Sequence, residues 1–171
     1  MTDLRQYIRD VPDFPKPGIL FRDIMPLLAN PQALEQALHG MAQGVPPGGI
    51  DRVVAIESRG FLFGVGIARH LERGLVLLRK PGKLPGSIHR HQYALEYGSD
   101  GLEVQTDALW PGCRVLLVDD VLATGGTLAA AAQLVRDCGA EPVASTVLIE
   151  LDALGGRERL GGMALHSVLR Y

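Results

Sequence analysis

The sequence predicts an α/β domain built on a mostly parallel, twisted sheet with helices on both faces. Three observations predict it. Short apolar runs at 52–56, 75–78, 114–118 and 143–149 have the near-continuous hydrophobicity of strands buried on both faces. Segments with helical spacing alternate with them over residues 50–150, as βαβ units require. Two of the strand ends run into polar, glycine-bearing turns that open helices, at 57–60 and 119–127. Ligands of open α/β sheets bind at that carboxyl edge.

Taken in order, residues 3–10 read as a short amphipathic helix with alternating charge. Residues 11–18 must be irregular, because Pro12, Pro15 and Pro17 remove donors and fix φ. Asn30-Pro31 is a helix start, with Asn as cap and Pro in the first turn. Leu34, Ala37, Leu38 and Met41 follow at helical spacing, and the glycines of 44–49 end that helix. After the strand at 52–56 comes a helix over 61–71, then the strand at 75–78. Residues 80–101 are polar and rich in Gly, Pro and His; they read as a mobile loop and the start of a β-hairpin, with 102–105 as its return arm. Leu128, Ala131, Ala132, Val135 and Cys138 form one helical stripe, ended by Gly139. A strand at 143–149 follows, and 164–169 reads as one more. About 30 N-terminal and 20 C-terminal residues fall outside the alternation. The expected organisation is one domain over 1–171: a core at 31–149, a lid near 80–101, and a small hood from 1–30 and 150–171 over the carboxyl edge of the sheet.

Composition excludes several classes. The chain has 171 residues, 47% hydrophobic and 21% charged, with a formal net charge of −2. No block of Lys and Arg tracks a phosphate backbone, so nucleic acid is not the expected partner. No run approaches the roughly 20 apolar residues of a membrane span, and the N-terminus lacks the apolar core of a signal peptide. Cys113 and Cys138 lack metal-ligand spacing and read as reduced structural thiols, which fits the cytoplasm. The five histidines also lack ligand spacing.

The most informative segment is Val118-Asp119-Asp120-Val121-Leu122-Ala123-Thr124-Gly125-Gly126-Thr127. It sets two carboxylates at a strand end and a Thr/Gly turn at a helix start. The first amides of a helix lack internal partners and its dipole favours negative charge, so such a turn binds anions. Asp119 and Asp120 suit sugar hydroxyls or a metal-bound ligand. Together they fit a ribose 5-phosphate. Glu57-Ser58-Arg59-Gly60 is a second such turn. Arg59 there matches a pyrophosphate, whose oxygens its planar fork binds in pairs, although Ser-Arg-Gly alone equally describes a capped helix with a surface arginine. Arg79, Lys80 and Lys83 place three cations among prolines and glycines, as a solvated loop or as a basic lid that excludes water. Glu96, between Tyr93 and Tyr97, reads either as a proton-exchanging carboxylate with a raised pKa or as a plain strand glutamate. The stretch at 14–24 offers Phe14 and Phe21 as an aromatic face for a flat heterocycle, or as pins to the core. The residues alone do not choose purine from pyrimidine.

Residues 118–127 resemble the 5-phosphoribosyl-1-pyrophosphate (PRPP) motif of the type I phosphoribosyltransferases. The stretches at 12–24, 57–61, 79–86, 95–98 and 149–151 resemble the adenine branch of that family, and the likeness runs from Ile8 to Tyr171. The resemblance implies Mg²⁺-dependent transfer from PRPP to adenine in purine salvage, giving AMP and pyrophosphate, by a homodimer. It implies that Ala123, Thr124, Gly125, Gly126 and Thr127 hold the 5′-phosphate. Asp119 and Asp120 would hold the ribose hydroxyls, directly or through Mg²⁺ carried on PRPP. Arg59, Lys80 and Lys83 would take pyrophosphate, with Arg79 reaching it across a subunit boundary. Leu20, Phe21, Arg22 and Leu151 would line the adenine pocket, and Glu96 would be the acid/base at the purine. Two departures stand out: the lid at 87–92 is rich in His and Arg, and Leu20 replaces an expected valine-like residue. A phosphoribosyltransferase for a 6-oxopurine and a non-catalytic PRPP sensor are the competing readings. The sensor would need a DNA-binding domain or a basic face.

Overall fold

The computed structural model describes residues 3–94 and 99–171. Its centre is a five-stranded sheet, parallel throughout, in the order β4-β3-β7-β8-β9. The strands are β3 (Arg52–Ile56), β4 (Gly74–Leu78), β7 (Arg114–Leu122), β8 (Glu141–Glu150) and β9 (Ala164–Arg170). Two antiparallel pairs stand apart from it: β1 (Arg9–Pro12) with β2 (Leu20–Asp23), and β5 (Ile88–Ala94) with β6 (Ser99–Gln105). Helices α1 (Met25–Ala29), α2 (Pro31–Ala42) and α3 (Gly60–His70) precede α4 (Gly126–Asp137).

The apolar runs become central strands because both faces are covered. Along β7, Val115 and Leu117 face the cluster under α4, with Leu128, Leu134 and Val135. Leu116 and Val118 face the other cluster, with Phe63 and Ile67 of α3 and Met41 of α2. This is the period-2 alternation of a strand. Phe63 is fully buried, and truncating such a ring costs about 3–5 kcal/mol. Asn30 caps α2 as expected, accepting from the Ala33 amide at 2.9 Å.

Two expectations are corrected. Residues 3–10 are not a helix: a single 3₁₀ turn, Leu4–Tyr7, leads into β1. The alternating charges that suggested an amphipathic helix are cross-strand partners, with Arg9 opposite Asp23 and Asp10 opposite Arg22. Arg9 donates to Asp23 at 3.0 Å, and Arg22 pairs with Asp10. Opposite charges facing each other across a pair stabilise it. The C-terminal strand, β9, is not part of a hood. It pairs in parallel with β8 and extends the main sheet, and Leu169 is buried in the α3-side cluster.

The chain leaves β3 for β4 in one direction across the sheet and continues from β7 through β8 to β9 in the other. The order reverses between β3 and β7. In open α/β sheets that switch point is where the strand ends part and a crevice opens.

Candidate active site

A cavity of about 330 Å³ opens at this switch point. Both strand-to-helix turns line it: Glu57, Ser58 and Arg59 after β3, and Asp119 through Thr127 from the end of β7 into the start of α4, with Lys80 at the side. Gly60 is required here. A Cβ on it would lie 2.8 Å from the Val118 carbonyl oxygen and 3.2 Å from Asp119 Oδ1, so only glycine lets α3 start against β7. The Glu57–Ser58 peptide bond within this turn is cis.

The second turn ends in Gly125, at φ +82°, and α4 then begins at Gly126. Its first residues, Gly126, Thr127 and Leu128, line the cavity together with Thr124. The backbone of Gly156 lies directly on this loop: a Cβ at Gly125 would fall 2.3 Å from the Gly156 oxygen. The Leu151 amide donates to the Leu122 carbonyl at 2.9 Å and ties the end of β7 to the segment after β8.

The charges are arranged in pairs. Arg59 Nε donates to Asp120 Oδ2 at 2.5 Å and joins the two turns; Asp120 is buried. The Asp120 amide donates to Asp119 Oδ1 at 2.9 Å. Desolvation first, and the adjacent Asp120 charge second, hold the Asp119 carboxyl well above the usual carboxylate range. Glu57 accepts two bonds from Arg79, both at 3.2 Å, and one from the Lys80 amide at 2.7 Å. The Arg79 guanidinium beside Glu57 holds its carboxyl below its ordinary value. The Lys80 ammonium pairs with Asp100, whose Oδ2 also accepts from the Tyr93 hydroxyl at 3.2 Å.

The structure therefore gathers Arg59, Lys80, Asp119, Asp120, Ala123, Thr124, Gly125, Gly126 and Thr127 around one cavity. Arg79 and Lys83 are not in its wall: Arg79 turns to Glu57, and Lys83 is exposed. None of the four proposed base-pocket residues is in its wall. The Phe21 ring is 5.6 Å from the Arg59 guanidinium and meets Phe14 edge-on at 5.1 Å. Leu20 is 45% exposed, Leu151 is half-buried, and the Arg22 guanidinium lies 4.0 Å over the Tyr171 ring. Glu96 lies outside the described residues. Sequence reasoning missed Glu57 and Asp100 as partners of the site's cations, and Gly156 beneath the loop. For Gly156 the doublet Gly155-Gly156 close after Leu151 was the available signal. Among the described residues no helix is long and apolar enough to cross a membrane.

Comparison with known proteins adds the following. The phosphoribosyl transferase domain family matches residues 27–160. The adenine phosphoribosyltransferase of Methylococcus capsulatus is 54% identical over 171 residues, covering 100% of both chains. Among solved structures, adenine phosphoribosyltransferase from Thermoanaerobacter pseudethanolicus superposes with a TM-score of 0.94 at 43% identity, over 98% of each chain. That from Saccharomyces cerevisiae, complexed with an imino-altritol bisphosphate and adenine, gives 0.89 at 42%, over 97% of this chain and 96% of that one.

Proposed function

The chain belongs to the adenine phosphoribosyltransferase family, and from that premise we propose that this site transfers the 5-phosphoribosyl group of PRPP to adenine in purine salvage, giving AMP and pyrophosphate. The observation that carries the reading is the single cavity shared by two anion-binding turns on either side of the switch point. A ribose with phosphate at one end and pyrophosphate at the other needs two such turns about one sugar apart.

In this reading the α4 amides and the hydroxyls of Thr124 and Thr127 hold the 5′-phosphate. Asp119 and Asp120 hold the ribose hydroxyls. Arg59 and Lys80 face the pyrophosphate, and exchange their carboxylate partners for it. Lys83, and Arg79 across a subunit boundary, close over it. Phe21 supplies the flat face for adenine, flanked by Leu20, Arg22 and Leu151. In the reaction the C1′–O bond to pyrophosphate breaks, the C1′–N9 bond forms, and the purine loses one proton. Glu96 handles that proton. Most of the acceleration comes from cations placed where the departing oxygens gain charge, and from alignment of N9 with C1′.

The implied cation fits the donor set. Asp119 and Asp120 offer hard carboxylate oxygens, the ligand type Mg²⁺ prefers, and Mg²⁺ is usually held by one or two carboxylates with substrate oxygens and waters. Mg²⁺ when bound would neutralise charge on the PRPP oxygens. The reading includes a homodimer in the cytoplasm. Leu62 and Val65 are 50% and 59% exposed on α3, and α3 begins at the pyrophosphate turn, so a second copy seated on that face would stand beside the site.

The test is a base panel: purified protein, PRPP and Mg²⁺ with adenine, hypoxanthine, guanine, xanthine or orotate, scoring nucleotide and pyrophosphate. AMP from adenine alone is expected. Product from a 6-oxopurine would overturn the base assignment. PRPP binding without product from any base would favour a sensor.

A further inference from the structure

The 3₁₀ segment Gly156–Leu160 after β8 has no role in the reaction as described so far. It is nonetheless fastened beside the phosphate loop at three points. A Cβ on Gly156 would fall 2.2 Å from the Ala123 carbonyl oxygen and 3.0 Å from the Gly125 amide nitrogen, so the two backbones are in direct contact. Arg157 forks onto buried Glu150 at 2.9 and 2.6 Å, and Glu150 accepts from Ser167 at 2.6 Å. Leu160 is buried in the α4-side core. Arg159 is the side chain that these anchors present outward, over the start of α4.

Its Nη1 lies 3.9 Å from where a Gly126 Cβ would sit, the same distance as Thr124 Oγ1. Arg159 and Thr124 thus flank the first residue of α4. A cleft of about 390 Å³, lined by Arg159, Gly126, His91 and Tyr93, meets the phosphate loop at Gly126. Arg59, Arg79 and Lys80 each engage a carboxylate. Arg159, in contrast, makes no hydrogen bond or ion pair among the described residues. Residues 123–127 contain no basic side chain, so a phosphate dianion on this loop meets amide and hydroxyl dipoles but no full positive charge from the loop itself.

Building on the proposed function, we infer that Arg159 is a further binding residue for the 5′-phosphate, its guanidinium closing over the oxygens that the α4 amides do not reach. The planar fork of arginine matches phosphate in geometry as well as charge.

The test uses the full chain with Arg159→Gln and Arg159→Lys. For Arg159→Gln, kcat/KM for PRPP falls about 10-fold or more, the scale of one charge-assisted hydrogen bond. KM for adenine and the melting temperature stay at wild-type values, because the side chain is exposed. Arg159→Lys recovers part of the loss. Calorimetric titration then separates the two anion sites: binding of ribose 5-phosphate weakens, and binding of inorganic pyrophosphate does not. Unchanged PRPP kinetics in Arg159→Gln overturn the inference, as does an equal loss for pyrophosphate. If the wild-type protein makes no AMP, the proposed function itself fails, an outcome read before any variant is compared.

Discussion

Gly125→Ala isolates what the phosphate loop demands of its backbone. The native φ is +82°, a conformation that costs an L-residue with a Cβ about 1–2 kcal/mol. The new methyl would also stand 2.3 Å from the Gly156 oxygen, and reaching ordinary contact at 3.4 Å takes a shift of about 1.1 Å. The obstacle is backbone, pinned through Arg157 and Leu160, so the loop must give way. A misplacement of about 1 Å in a substrate-positioning group can cost roughly 10²-fold. We expect kcat/KM for PRPP to fall by about that factor, with a melting temperature lower by roughly 2–8 °C, given about 2–4 °C per kcal/mol in a domain of this size. Steady-state kinetics with each substrate varied, and a thermal melt, supply both numbers. Gly126→Ala is the control for stability. Nothing lies nearer than 3.9 Å to its Cβ, and Ala in a helix is favoured over Gly by up to about 1 kcal/mol, so its melting temperature holds or rises. A folded Gly125→Ala protein with wild-type kcat/KM for PRPP would refute the reasoning.

The other predictions concern charge. Asp120→Asn removes the negative charge paired with Arg59 and should cut turnover at least about 10²-fold, the scale for one preorganised charge interaction; near-normal turnover would take Asp120 out of the reaction. Glu96→Gln should lower kcat more than it weakens PRPP binding, and a kcat unchanged across pH would make Glu96 structural. Stability should fall in acid. The Met25 amide and then Arg9 lower the Asp23 pKa, Arg79 lowers that of Glu57, and Arg157 lowers that of Glu150. A carboxylate with a depressed folded-state pKa stabilises fully above its unfolded value, about 4, and loses that contribution as pH falls through the folded one. Asp119 is shifted upward and acts in the opposite sense, favouring the fold at low pH, but it is one group against these three and Asp100, which is also shifted downward. Urea midpoints that stay constant from pH 6 to pH 3 would contradict this balance.

The parts legible in the sequence are those whose cause is local. The central strands could be read because burial on both faces leaves continuous apolar runs, and α2 because Asn30 and Pro31 announce its start. The two turns that meet at the cavity could be read because the residues that make them, Asp119 to Thr127 and Ser58 to Gly60, are contiguous. What failed depends on distant partners. The charges of residues 9 and 10 match a helix face as well as a strand until Arg22 and Asp23 are set opposite them. The tail was readable as a strand, but its place in the main sheet is decided by register with β8. Within the site, Glu57 reads as a turn residue until Arg79 folds onto it, and Asp100 as a hairpin residue until Lys80 reaches it. Gly156 touches Gly125 across 31 positions of chain.

The pairing of Arg59 with Asp120, Arg79 with Glu57 and Lys80 with Asp100 bears on how a polyanion finds this pocket. Three cations matched by three carboxylates act at a distance as dipoles, whose field decays faster than that of isolated charges. The whole chain, at −2, adds no attraction for a negatively charged visitor. Beyond the roughly 10 Å over which salt already screens exposed charges, these pairs leave little field to guide PRPP inward, and the exposed Arg159 adds one screened charge. Encounter should therefore proceed near the unsteered rate and depend only weakly on ionic strength. On the proposed reading, recognition would begin on contact, with phosphate oxygens replacing the carboxylates at Arg59 and Lys80. A stray inorganic anion with too few oxygens to replace them all gains little by entering.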